Sequence, residues 1–266
     1  MNKAINIGIT GESGFIGRRL VLGVGVEADF VRVPFERAFF GDPVALHRFV
    51  QACDVVVHLA AQNRPSDDPS TYQTNIDLTE RLIRALQDVE GHPPAVIFAS
   101  SIREGEATAF GQSKAACRRE LEAWAAGCGG QLLTLRLPNT FGEDARPFDN
   151  SFIATFSCQL LRGIAPVVTE ARRVPLIHVD SLCRRLIPLI RECATDGSSR
   201  IRCEALTSDF YMEVSEVLRL LEGFHQEYRA TGAVTTPADP HLEELRRTFL
   251  SYCPDCSSTF FYPKRK

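Results

Sequence analysis

Three glycines near the start of the chain have the spacing with which a polypeptide holds a pyrophosphate. Gly11, Gly14 and Gly17 lie between an apolar run at Ala4–Thr10 and a helix-like segment that opens at Arg18. In this order the first glycine permits a tight turn, the second admits phosphate to bare backbone, and the third lets the helix pack on the strand. The free N–H groups of the helix N-terminus attract the anion. The turn therefore predicts a nicotinamide dinucleotide bound by Gly11, Ser13, Gly14, Phe15, Ile16 and Gly17.

The second strand-like run, Asp29–Val33, carries the residues that would distinguish NAD from NADP. An acidic side chain at the end of this strand would bind the adenosine ribose hydroxyls and favour NAD. None follows Val33 directly, although Glu36 stands three residues beyond it. Arg32 and Arg37 are available instead, and a guanidinium there would hold a 2′-phosphate. We therefore predict NADP (as NADPH) as the preferred cofactor and leave NAD open.

A third apolar run, Asp54–Ala61, ends in small residues that would let the cofactor lie across the carboxyl edge of the strand. Its first residue is placed to cap the adenine amino group, or simply to end the preceding helix. His58 inside such a run is typical of a packed core histidine rather than of a catalyst. The predicted cofactor contacts of this run are Asp54, Leu59, Ala60 and Ala61.

Strands that alternate with helices must position these residues. Two further apolar runs lie at Pro94–Ser101 and Leu132–Leu137, and helical segments near Pro43–Ala52, from Asn75 through Leu86, and up to Ala126 separate the runs. This alternation predicts an α/β fold with a Rossmann-type doubly wound parallel sheet, whose ligands bind at the carboxyl ends of the strands.

Beyond Pro138 the alternation loosens, which indicates a smaller C-terminal substrate lobe. The predicted elements there are a helix at Phe152–Arg162, a strand near Val174–His178, and helices near Ser181–Ala194, Glu213–Thr231 and Leu242–Leu250. We therefore expect a dinucleotide-binding core in residues 1–138. Residues 139–266 should form mainly the substrate-binding lobe, with some segments returning to the core.

The composition is that of a globular enzyme, with 44% apolar and 24% charged residues and a formal charge of −3. No long basic run precedes Lys264–Lys266, which argues against nucleic acid as a partner. No signal segment or run of about 18 apolar residues is visible, so we expect a cytoplasmic protein without a membrane partner. The nine cysteines are scattered, and Cys253 and Cys256 lack the further ligands of a zinc site, so no metal is predicted.

These motifs are similar to those of the extended short-chain dehydrogenases/reductases that act on nucleotide sugars, within the NAD-dependent epimerase/dehydratase family. The run Thr10–Gly17 fits the family pattern TGxxGFIG without a mismatch. Asp54 with His58–Ala61 fits DxxxHLAA, and Asn75 fits the asparagine that opens a helix. The resemblance implies a Rossmann-type fold, a nicotinamide cofactor and a nucleoside-diphosphate sugar as substrate.

Within that family the chain most resembles the reductase domain of the CapF-type enzymes, which reduce a UDP-4-keto-6-deoxy-amino sugar for capsular polysaccharide. The resemblance covers nearly the whole chain and is carried by the segments Gln62–Pro65, Ser100–Ile102, Arg136–Gly142, Arg146–Phe156, Thr248–Tyr252 and Phe261–Pro263. Those enzymes continue into a metal-binding cupin domain, which we do not expect in this chain.

The resemblance also implies a set of catalytic positions, one of which is altered. In the family a tyrosine donates the proton to the developing alkoxide, a lysine four residues later lowers its pKa, and a serine orients the carbonyl. The lysine is Lys114, which would also hold the nicotinamide ribose, and the serine is Ser101, with Ser100 as the second choice. The tyrosine position is Phe110, whose ring has no hydroxyl and can neither donate nor accept the proton.

Three explanations of Phe110 stay open at this point. It is a deliberate Tyr→Phe replacement that traps ligands, or the natural enzyme uses another proton source, or the chain is a pseudo-enzyme that binds without chemistry. The second explanation allows water, a substrate hydroxyl, Tyr72, Cys117 or His178 as the source. It also allows a reaction other than net reduction, because epimerases and dehydratases share this framework.

Polar residues near the ends of the strands are the candidates for binding a sugar nucleotide. Asn139 follows the carboxyl end of a strand and would bond the sugar or a phosphate, and Arg146 would clamp the diphosphate through two N–H groups. The predicted substrate-binding residues are Arg64, Ser101, Asn139, Arg146, Asn150 and Ser151.

The family resemblance further implies a homodimer, in which the helix after Phe110 pairs with its copy in a second subunit. Ala115, Leu121 and Trp124 give this helix an apolar face, although packing against the sheet would look the same. The leading hypothesis is NAD(P)H-dependent reduction of a UDP- or dTDP-linked 4-keto-6-deoxy sugar. The alternatives are a nucleotide-sugar epimerase or dehydratase, and a non-catalytic protein that binds both ligands.

Overall fold

The computed structural model describes residues 4–63, 69–149, 151–168, 171–196 and 200–254. Two of the predicted substrate residues, Arg64 and Asn150, lie outside the described residues, as does Cys256 of the CxxC pair.

The chain forms two compact units, and each is made of two segments. The first unit consists of Met1–Pro138 with Val179–Thr207, and the second consists of Asn139–His178 with Ser208–Lys266. The first division after Pro138 coincides with the point where the sequence pattern loosens. The predicted helix near Ser181–Ala194, which the sequence assigned to the smaller lobe, instead belongs to the first unit.

A six-stranded parallel sheet forms the centre of the first unit. Its strands are β1 (Ile5–Thr10), β2 (Phe30–Val33), β3 (Val55–His58), β4 (Ala95–Ser101), β5 (Leu132–Leu137) and β8 (Ile201–Ala205). They lie in the order β2-β1-β3-β4-β5-β8, and every neighbouring pair is parallel. The chain runs outward from β1 to β2 and then crosses back to β3, so a crevice opens between the carboxyl ends of β1 and β3. This topology confirms the predicted Rossmann-type fold.

Helices cover the sheet of the first unit on both faces. They are α1 (Phe15–Val26), α2 (Pro43–Gln51), α3 (Pro69–Gln87), α4 (Ala109–Cys128) and α6 (Val179–Thr195). Helix α1 packs against α6, which contacts β3 and β4. Helices α2, α3 and α4 share a buried cluster with alternate strand residues such as Val56 and Phe98. Because successive strand residues point to opposite faces, the sheet is doubly wound, as predicted.

The main correction to the predicted bounds concerns α3. The sequence has Asn75 opening this helix, whereas α3 begins at Pro69 and Asn75 lies inside it. Asn75 is 3% exposed and its side chain bonds neighbouring segments rather than capping a helix end. The signature asparagine is therefore a tertiary connector in this chain.

The second unit is built around a three-stranded sheet of β6 (Asn139–Phe141), β7 (Arg173–His178) and β9 (Phe210–Glu213). β6 and β7 are parallel, and β9 is antiparallel to β7. Helices α5 (Phe152–Leu161), α7 (Val214–Thr231) and α8 (Pro240–Leu250) complete the unit. Its core contains Phe141, Ile153, Phe156, Leu176, Val217, Leu221, Leu245 and Phe249.

Three short strands, β6, β8 and β9, escape the sequence pattern. β8 has the sequence Ile-Arg-Cys-Glu-Ala, is mostly exposed and lies at the edge of its sheet. An edge strand without a buried face shows neither a continuous apolar run nor a clean alternation. Among the described residues, no helix combines the length and the hydropathy needed to cross a membrane.

Candidate cofactor and catalytic site

The glycine turn between β1 and α1 is closed by backbone contacts that exclude side chains. Gly11 has φ +76°, and a Cβ there would lie 2.8 Å from the Ala60 backbone nitrogen. The Gly14 N–H donates to the Gly11 carbonyl at 2.9 Å. A Cβ on Gly17 would collide with the Gly11 carbonyl and lie 2.7 Å from the Glu12 Cα. Gly11 and Gly17 allow the close backbone contacts that their spacing predicts, and the three glycines form a cradle that a Cβ would fill.

The N-terminus of α1 is suited to an anion. Its N-cap is Gly14, without a side-chain hydrogen bond, and its first turn contains no acidic residue. Helices α2, α4, α5 and α8, by contrast, begin with side-chain caps from Asp42, Thr108, Ser151 and Asp239. Uncapped N–H groups and the helix dipole favour a bound phosphate. The residues present therefore fit a dinucleotide pyrophosphate.

The other predicted residues of the turn differ in exposure. Ser13 is exposed, Ile16 is half-buried, and Phe15 is only 7% exposed and packs inward. Because Phe15 is buried at the start of α1, it would affect a ligand by fixing the position of the turn and not by direct contact.

The end of β3 lies against the turn. The Leu59 N–H donates to the Thr10 carbonyl at 3.1 Å, and the Ala60 N–H donates to Thr10 Oγ1 at 3.3 Å. Leu59 and Ala60 are half-buried and Ala61 is exposed. Small residues here leave the carboxyl edge of the sheet open next to the glycine cradle, as the sequence predicts.

Arg32 meets an acidic residue that the sequence analysis missed. Its Nη1 lies 3.0 and 3.1 Å from the two carboxylate oxygens of Glu12, which belongs to the glycine turn. The β1–β2 register, in which Gly8 pairs with Val33, brings the end of β2 beside the turn. Arg37, the second predicted arginine, is exposed and opens a short 3-10 helix at Arg37–Gly41. Glu12 is thus a charged neighbour for any group that binds Arg32.

Asp54 does not fit the predicted adenine contact. It precedes β3, and its Oδ2 accepts a hydrogen bond of 2.7 Å from the backbone N–H of Asn6 near the start of β1. The cofactor edge lies at the other end of these parallel strands, beyond Thr10 and His58. Four residues of extended strand span about 13 Å. Asp54 therefore ties two strand beginnings together, and the adenine contact is corrected to a structural one.

His58 is confirmed as a packed core residue among the described contacts. It is 1% exposed, and its ring nitrogens lie 2.7 Å from Thr10 Oγ1 and 3.4 Å from Thr79 Oγ1. Burial and the nearby charge of Lys114 lower the pKa of His58 to about 3. The ring is therefore neutral near pH 7.

The two serines at the end of β4 have different hydrogen-bond roles. Ser100 is 3% exposed, and its hydroxyl donates a short hydrogen bond to Glu104 Oε1. Ser101 is half-buried, and its Oγ accepts the Arg103 N–H at 3.2 Å, which caps the short 3-10 helix Ile102–Gly105. The proton of Ser100 is committed to a carboxylate, whereas accepting a bond leaves Ser101 its own proton to donate. The geometry favours Ser101 for orienting a carbonyl.

Lys114 is a buried cation in the second turn of α4. It is 5% exposed, and its Nζ donates to the Ala99 carbonyl at 2.7 Å. The Nζ also lies 4.8 Å from the Phe98 ring centroid and 5.8 Å from that of Phe110. Burial lowers the pKa of Lys114 to about 8, against the opposing influence of Cys117 and Glu104.

Phe110 lies one turn before Lys114 and is half-buried. The Arg103 guanidinium lies 5.5 Å from its ring centroid. Its backbone carbonyl accepts a bond of 2.8 Å from the Ser113 hydroxyl. The neighbouring Gly111 must be glycine, because a Cβ there would lie 2.8 Å from the Glu106 carbonyl. The first turn of α4 is thus fixed around a ring that offers no hydroxyl.

Asn75 connects the cofactor edge to α4. Its Oδ1 accepts the Gln62 N–H at 2.7 Å, and its Nδ2 donates to the Gln62 carbonyl at 3.0 Å and to Ser113 Oγ at 2.9 Å. Sequence reasoning identified Asn75 as a motif residue but not as this connector. An amide has both a donor and an acceptor, which is why this residue type suits the position.

The predicted substrate residues of the second unit have partly structural roles. Asn139 begins β6, and its Nδ2 donates to the Pro175 carbonyl at 3.1 Å. Ser151 caps α5, with its Oγ accepting the Ala154 N–H at 3.4 Å. Arg146 is exposed, and its carbonyl accepts the Asp149 N–H at 3.4 Å. A sugar nucleotide would find Arg146 the most accessible of the three.

His178 is fully buried in the second unit. Its Nε2 lies 3.1 Å from Glu143 Oε2, and its ring packs edge-on against Phe141 at 5.3 Å. The hydrogen bond from His178, other hydrogen bonds and nearby charges outweigh burial and lower the pKa of Glu143 to about 2. The arrangement is that of a satisfied core pair.

The helix face predicted for a dimer is largely occupied. Leu121 and Trp124 are 0% and 5% exposed and belong to the core cluster of the first unit. Ala115 is half-buried and lines an open pocket. Leu121 and Trp124 therefore pack into the core of the first unit and are not available for a dimer contact.

Comparison with families of known proteins gives one match over most of the chain. The model of the NAD dependent epimerase/dehydratase family matches residues 7–201. The glycine turn, Lys114 and β4 lie inside this range, as do α5 and β7 of the second unit.

Individual relatives extend the likeness further. A UDP-2-acetamido-2,6-beta-L-arabino-hexul-4-ose reductase of Pseudomonas aeruginosa is 26% identical over 258 residues, which cover 96% of this chain and 67% of the relative. The crystal structure of the capsular polysaccharide assembling protein CapF from Staphylococcus aureus is 26% identical with a TM-score of 0.73, and the match covers 97% of this chain and 67% of that one. The chain thus spans about two thirds of the length of both.

A second similar structure has nearly the length of this chain. RMD from Pseudomonas aeruginosa, complexed with NADPH, superposes with a TM-score of 0.73 at 20% identity. The match covers 94% of this chain and 97% of RMD, and at this identity it shows the shared fold.

Proposed function

The chain belongs to the NAD dependent epimerase/dehydratase family, and from this premise we propose that it reduces the 4-keto group of a nucleoside-diphosphate 6-deoxy sugar with a reduced nicotinamide dinucleotide. The observation that carries the proposal is the similarity to a UDP-sugar 4-ketoreductase over 96% of the chain. The retained glycine cradle and the buried Lys114 beside β4 support it.

The dinucleotide would be held by the glycine cradle, the N-terminus of α1 and Lys114. The cradle accepts the pyrophosphate on bare backbone, since a Cβ at Gly11 or Gly17 would fill it. Lys114 would hold the nicotinamide ribose through its ammonium N–H groups. When bound, the reduced dinucleotide supplies the hydride for the carbonyl carbon.

Ser101 would orient the carbonyl by donating its hydroxyl proton to the oxygen. Its Oγ already accepts the Arg103 N–H, which fixes the side chain on the short helix after β4. A preorganised donor of this kind stabilises the charge that develops on the oxygen.

The diphosphate of the substrate is proposed to bind the loop of the second unit that contains Arg146. Asp144 and Phe148 in this loop have φ of +68° and +62°, and Phe148 is 46% exposed. Left-handed backbone at non-glycine residues costs free energy and clusters at ligand-binding segments. Arg146 in this loop, and Arg162, whose guanidinium carbon lies 5.9 Å from the Phe148 ring centroid, offer cations for a phosphate next to a nucleobase.

NADPH is the proposed form of the cofactor. Arg32 lies at the end of β2, where a 2′-phosphate is held in this fold, and Arg37 follows on the next segment. The Glu12 carboxylate neutralises part of the Arg32 charge, so NADH is expected to bind as well, with a smaller difference than two free arginines would give.

A homodimer in the cytoplasm is the proposed state. Among the described residues, the cysteines outside the CxxC pair form no disulfide, as in a reducing compartment. The outward residues of α4, Gln112, Ala115 and Arg119, remain available for a second subunit, because Leu121 and Trp124 pack inward. Light scattering of the purified protein tests the dimer directly.

The proposed function is tested by mixing the protein with NADPH and a UDP- or dTDP-linked 4-keto-6-deoxy sugar. Loss of the reduced-nicotinamide absorbance measures turnover, and the experiment is repeated with Phe110→Tyr. Phe110→Leu serves as the control, since it alters the ring without adding a hydroxyl. We expect Phe110→Tyr to exceed the parent protein, because it restores the phenol donor; the gain reaches about 10²- to 10⁴-fold where the parent has no general acid of its own. No turnover in either protein, with both ligands bound, overturns the proposal.

A second candidate function follows from Phe110 itself. A chain that keeps the cofactor cradle but lacks the phenol would serve as a non-catalytic binder of dinucleotide and sugar nucleotide. Tight binding of both ligands without turnover in the parent protein, together with turnover in Phe110→Tyr, supports this candidate over an active reductase. Exchange of sugar stereochemistry without net NADPH loss would instead identify an epimerase.

A further inference from the structure

The proposed reduction needs a proton at the carbonyl oxygen, and Phe110 cannot supply it. Of the two donors of the first unit that the sequence suggested, Cys117 is poorly suited. Burial raises the pKa of Cys117, and its Sγ lies 3.4 Å from the Asn75 carbonyl. Tyr72 lies with Gln112 and Arg119 around an open pocket of about 520 Å³. Lys114 is a proton-bearing group whose contact with the Phe110 ring is observed, with its Nζ 5.8 Å from the ring centroid.

Lys114 stands out first by its residue type. The chain has 30 lysines and arginines, yet Lys114 is the only lysine between residues 4 and 263; the others are Lys3, Lys264 and Lys266. A guanidinium keeps its proton at every physiological pH, whereas an ammonium can release one. Between residues 4 and 263 every other positively charged side chain of this type is arginine, so the one cation that can release a proton stands at this buried position.

The surroundings of Lys114 suit an acid that works near neutral pH. Its Nζ lies 5.8 Å from the centroid of the Phe110 ring, and Phe110 is the residue that stands where the family has the phenol. Burial lowers the pKa of Lys114 to about 8, so the ammonium predominates at pH 7 but gives up its proton readily. His58, from β3, has a pKa of about 3 and contributes no charge.

Glu104 is a negative group that opposes the lowering of the pKa of Lys114 by burial. Its carboxylate accepts from Ser100 Oγ and from Arg118 Nε, the latter at 3.0 Å, and its side chain is 11% exposed. Ser100, which donates to this carboxylate, directly follows Ala99, whose carbonyl accepts from Lys114 Nζ at 2.7 Å, so two hydrogen bonds through adjacent residues link Glu104 to Lys114. Cys117 and Glu104 both raise the pKa of Lys114 against the larger effect of burial. Glu104 also lines the open pocket of about 520 Å³, so one side of this carboxylate faces space that water can enter.

We propose that Lys114 is the proton donor of the reduction and that Glu104 is a positioning residue that holds Lys114 in its charged form. The inference rests on the proposed function. A bound reduced dinucleotide would supply the hydride for the new C–H bond, and the carbonyl π electrons would move to oxygen. An N–H bond of the Lys114 ammonium breaks as the O–H bond forms, which leaves an alcohol and a neutral amine. A proton from water restores the ammonium.

The first test measures the protonation of Lys114 without any ligand. Nitrogen NMR of protein labelled at the lysine side chains follows a small set of signals, of which Lys114 is the buried one. Its titration is compared in the parent protein and in Glu104→Gln. We expect the pKa of Lys114 to lie below that of an exposed lysine and to fall further in Glu104→Gln, because a negative charge is removed.

Glu122→Gln is the matched control. Glu122 accepts from the same Arg118, at 2.8 Å, but it is not among the groups that influence Lys114. A shift confined to Glu104→Gln supports the inference. Equal shifts in both variants, or none in Glu104→Gln, overturn the role of Glu104.

The second test is the pH dependence of turnover with NADPH and the 4-keto-6-deoxy sugar nucleotide. An acid must be protonated, so kcat should be highest below the pKa of Lys114 and fall about tenfold for each pH unit above it. Glu104→Gln should move this fall to lower pH, in step with the NMR titration, while Glu122→Gln should not. Phe110→Tyr should remove the dependence on Glu104, because the phenol becomes the donor.

The outcomes separate the inference from the proposed function. Turnover whose pH profile ignores the titration of Lys114 overturns the inference and leaves the reductase intact. No turnover in the parent protein or in Phe110→Tyr overturns the proposed function and the inference with it. Turnover whose pH profile follows the titration of Lys114 in the parent protein and in Glu104→Gln supports the proposed function and the inference.

Discussion

The glycine turn at Thr10–Gly17 and the segment from Ser101 to Lys114 lie at the carboxyl edge of one sheet, yet they preserve their chemistry to different degrees. The turn keeps each family position, and its geometry leaves no room for a Cβ at Gly11 or Gly17. The second segment keeps its serine and lysine but has a phenyl ring where the family has a phenol. Binding depends on backbone shape, whereas proton transfer depends on one oxygen atom. The difference predicts that cofactor binding and turnover are separable in this chain.

The largest effect is expected in the turn. Gly17→Ala would place a Cβ 2.7 Å from the Glu12 Cα, and because backbone atoms cannot swing aside, the turn must move. Overpacking of this kind costs about 1–3 kcal/mol, so NADPH affinity should fall up to about 100-fold. Gly25→Ala in the same helix is the control, since no atom lies within 4 Å of its new Cβ. Calorimetric Kd values for both variants measure the effect, and normal binding by Gly17→Ala would contradict the role of the cradle.

A smaller effect is expected at the end of β4, on turnover alone. Ser101→Ala should lower kcat by about 10- to 100-fold, because a donor to the developing oxyanion is lost. The Kd for NADPH should stay unchanged. Ser100→Ala should lower kcat less, since the Ser100 hydroxyl already donates to Glu104. Equal losses in the two variants would show that the hydrogen-bond pattern does not distinguish the serines.

Substitutions of Asp54, at the opposite end of the strands from the glycine turn, should change stability without changing NADPH affinity. Asp54→Ala leaves the Asn6 N–H without its acceptor, which should reduce the free energy of unfolding by about 1–3 kcal/mol. Asp54→Asn keeps an acceptor oxygen and should cost less. Urea denaturation measures both, and NADPH affinity should be unaffected in either variant. A loss of affinity without a loss of stability would restore the adenine contact.

The smallest effect concerns the ion pair between Glu12 and Arg32. Glu12→Gln frees the guanidinium, and because exposed ion pairs contribute only about 0.2–1 kcal/mol, NADPH affinity should rise by no more than about fivefold. NADH affinity should not change, since it lacks the 2′-phosphate. Glu36→Gln, at the first acidic residue after Arg32, is the control. Parallel changes for both cofactors would mean that Arg32 does not face the 2′ position.

Much of the first unit could be predicted because its elements are strongly patterned. β5 has the predicted bounds, Leu132–Leu137, and the glycine turn fixes where β1 ends and α1 begins. The short strands β6 and β9 could not be predicted, since three or four residues carry too little periodicity. The sequence predicts that some segments return to the core, but it does not identify Val179–Thr207 as the one that does, because β8 pairs with a strand some seventy residues earlier.

The candidate site shows the same division between local and tertiary information. The residue types at Phe110 and Lys114 are properties of the sequence, and they alone raise the question of the proton donor. That Lys114 is buried, bonded to Ala99 and influenced by Glu104 emerges from packing. Asp54 illustrates the opposite case, in which a plausible local motif has a structural partner at the far end of the strands.

The sequence by itself determined that a dinucleotide cradle exists and that the phenol is missing, because both depend on residue identity at fixed spacing. Only the tertiary structure decided which serine keeps a free proton, which charges surround Lys114, and which acidic residue meets Arg32. The physical reason is that hydrogen bonding and protonation depend on distances between segments far apart in the chain. Spacing along the sequence does not encode those distances.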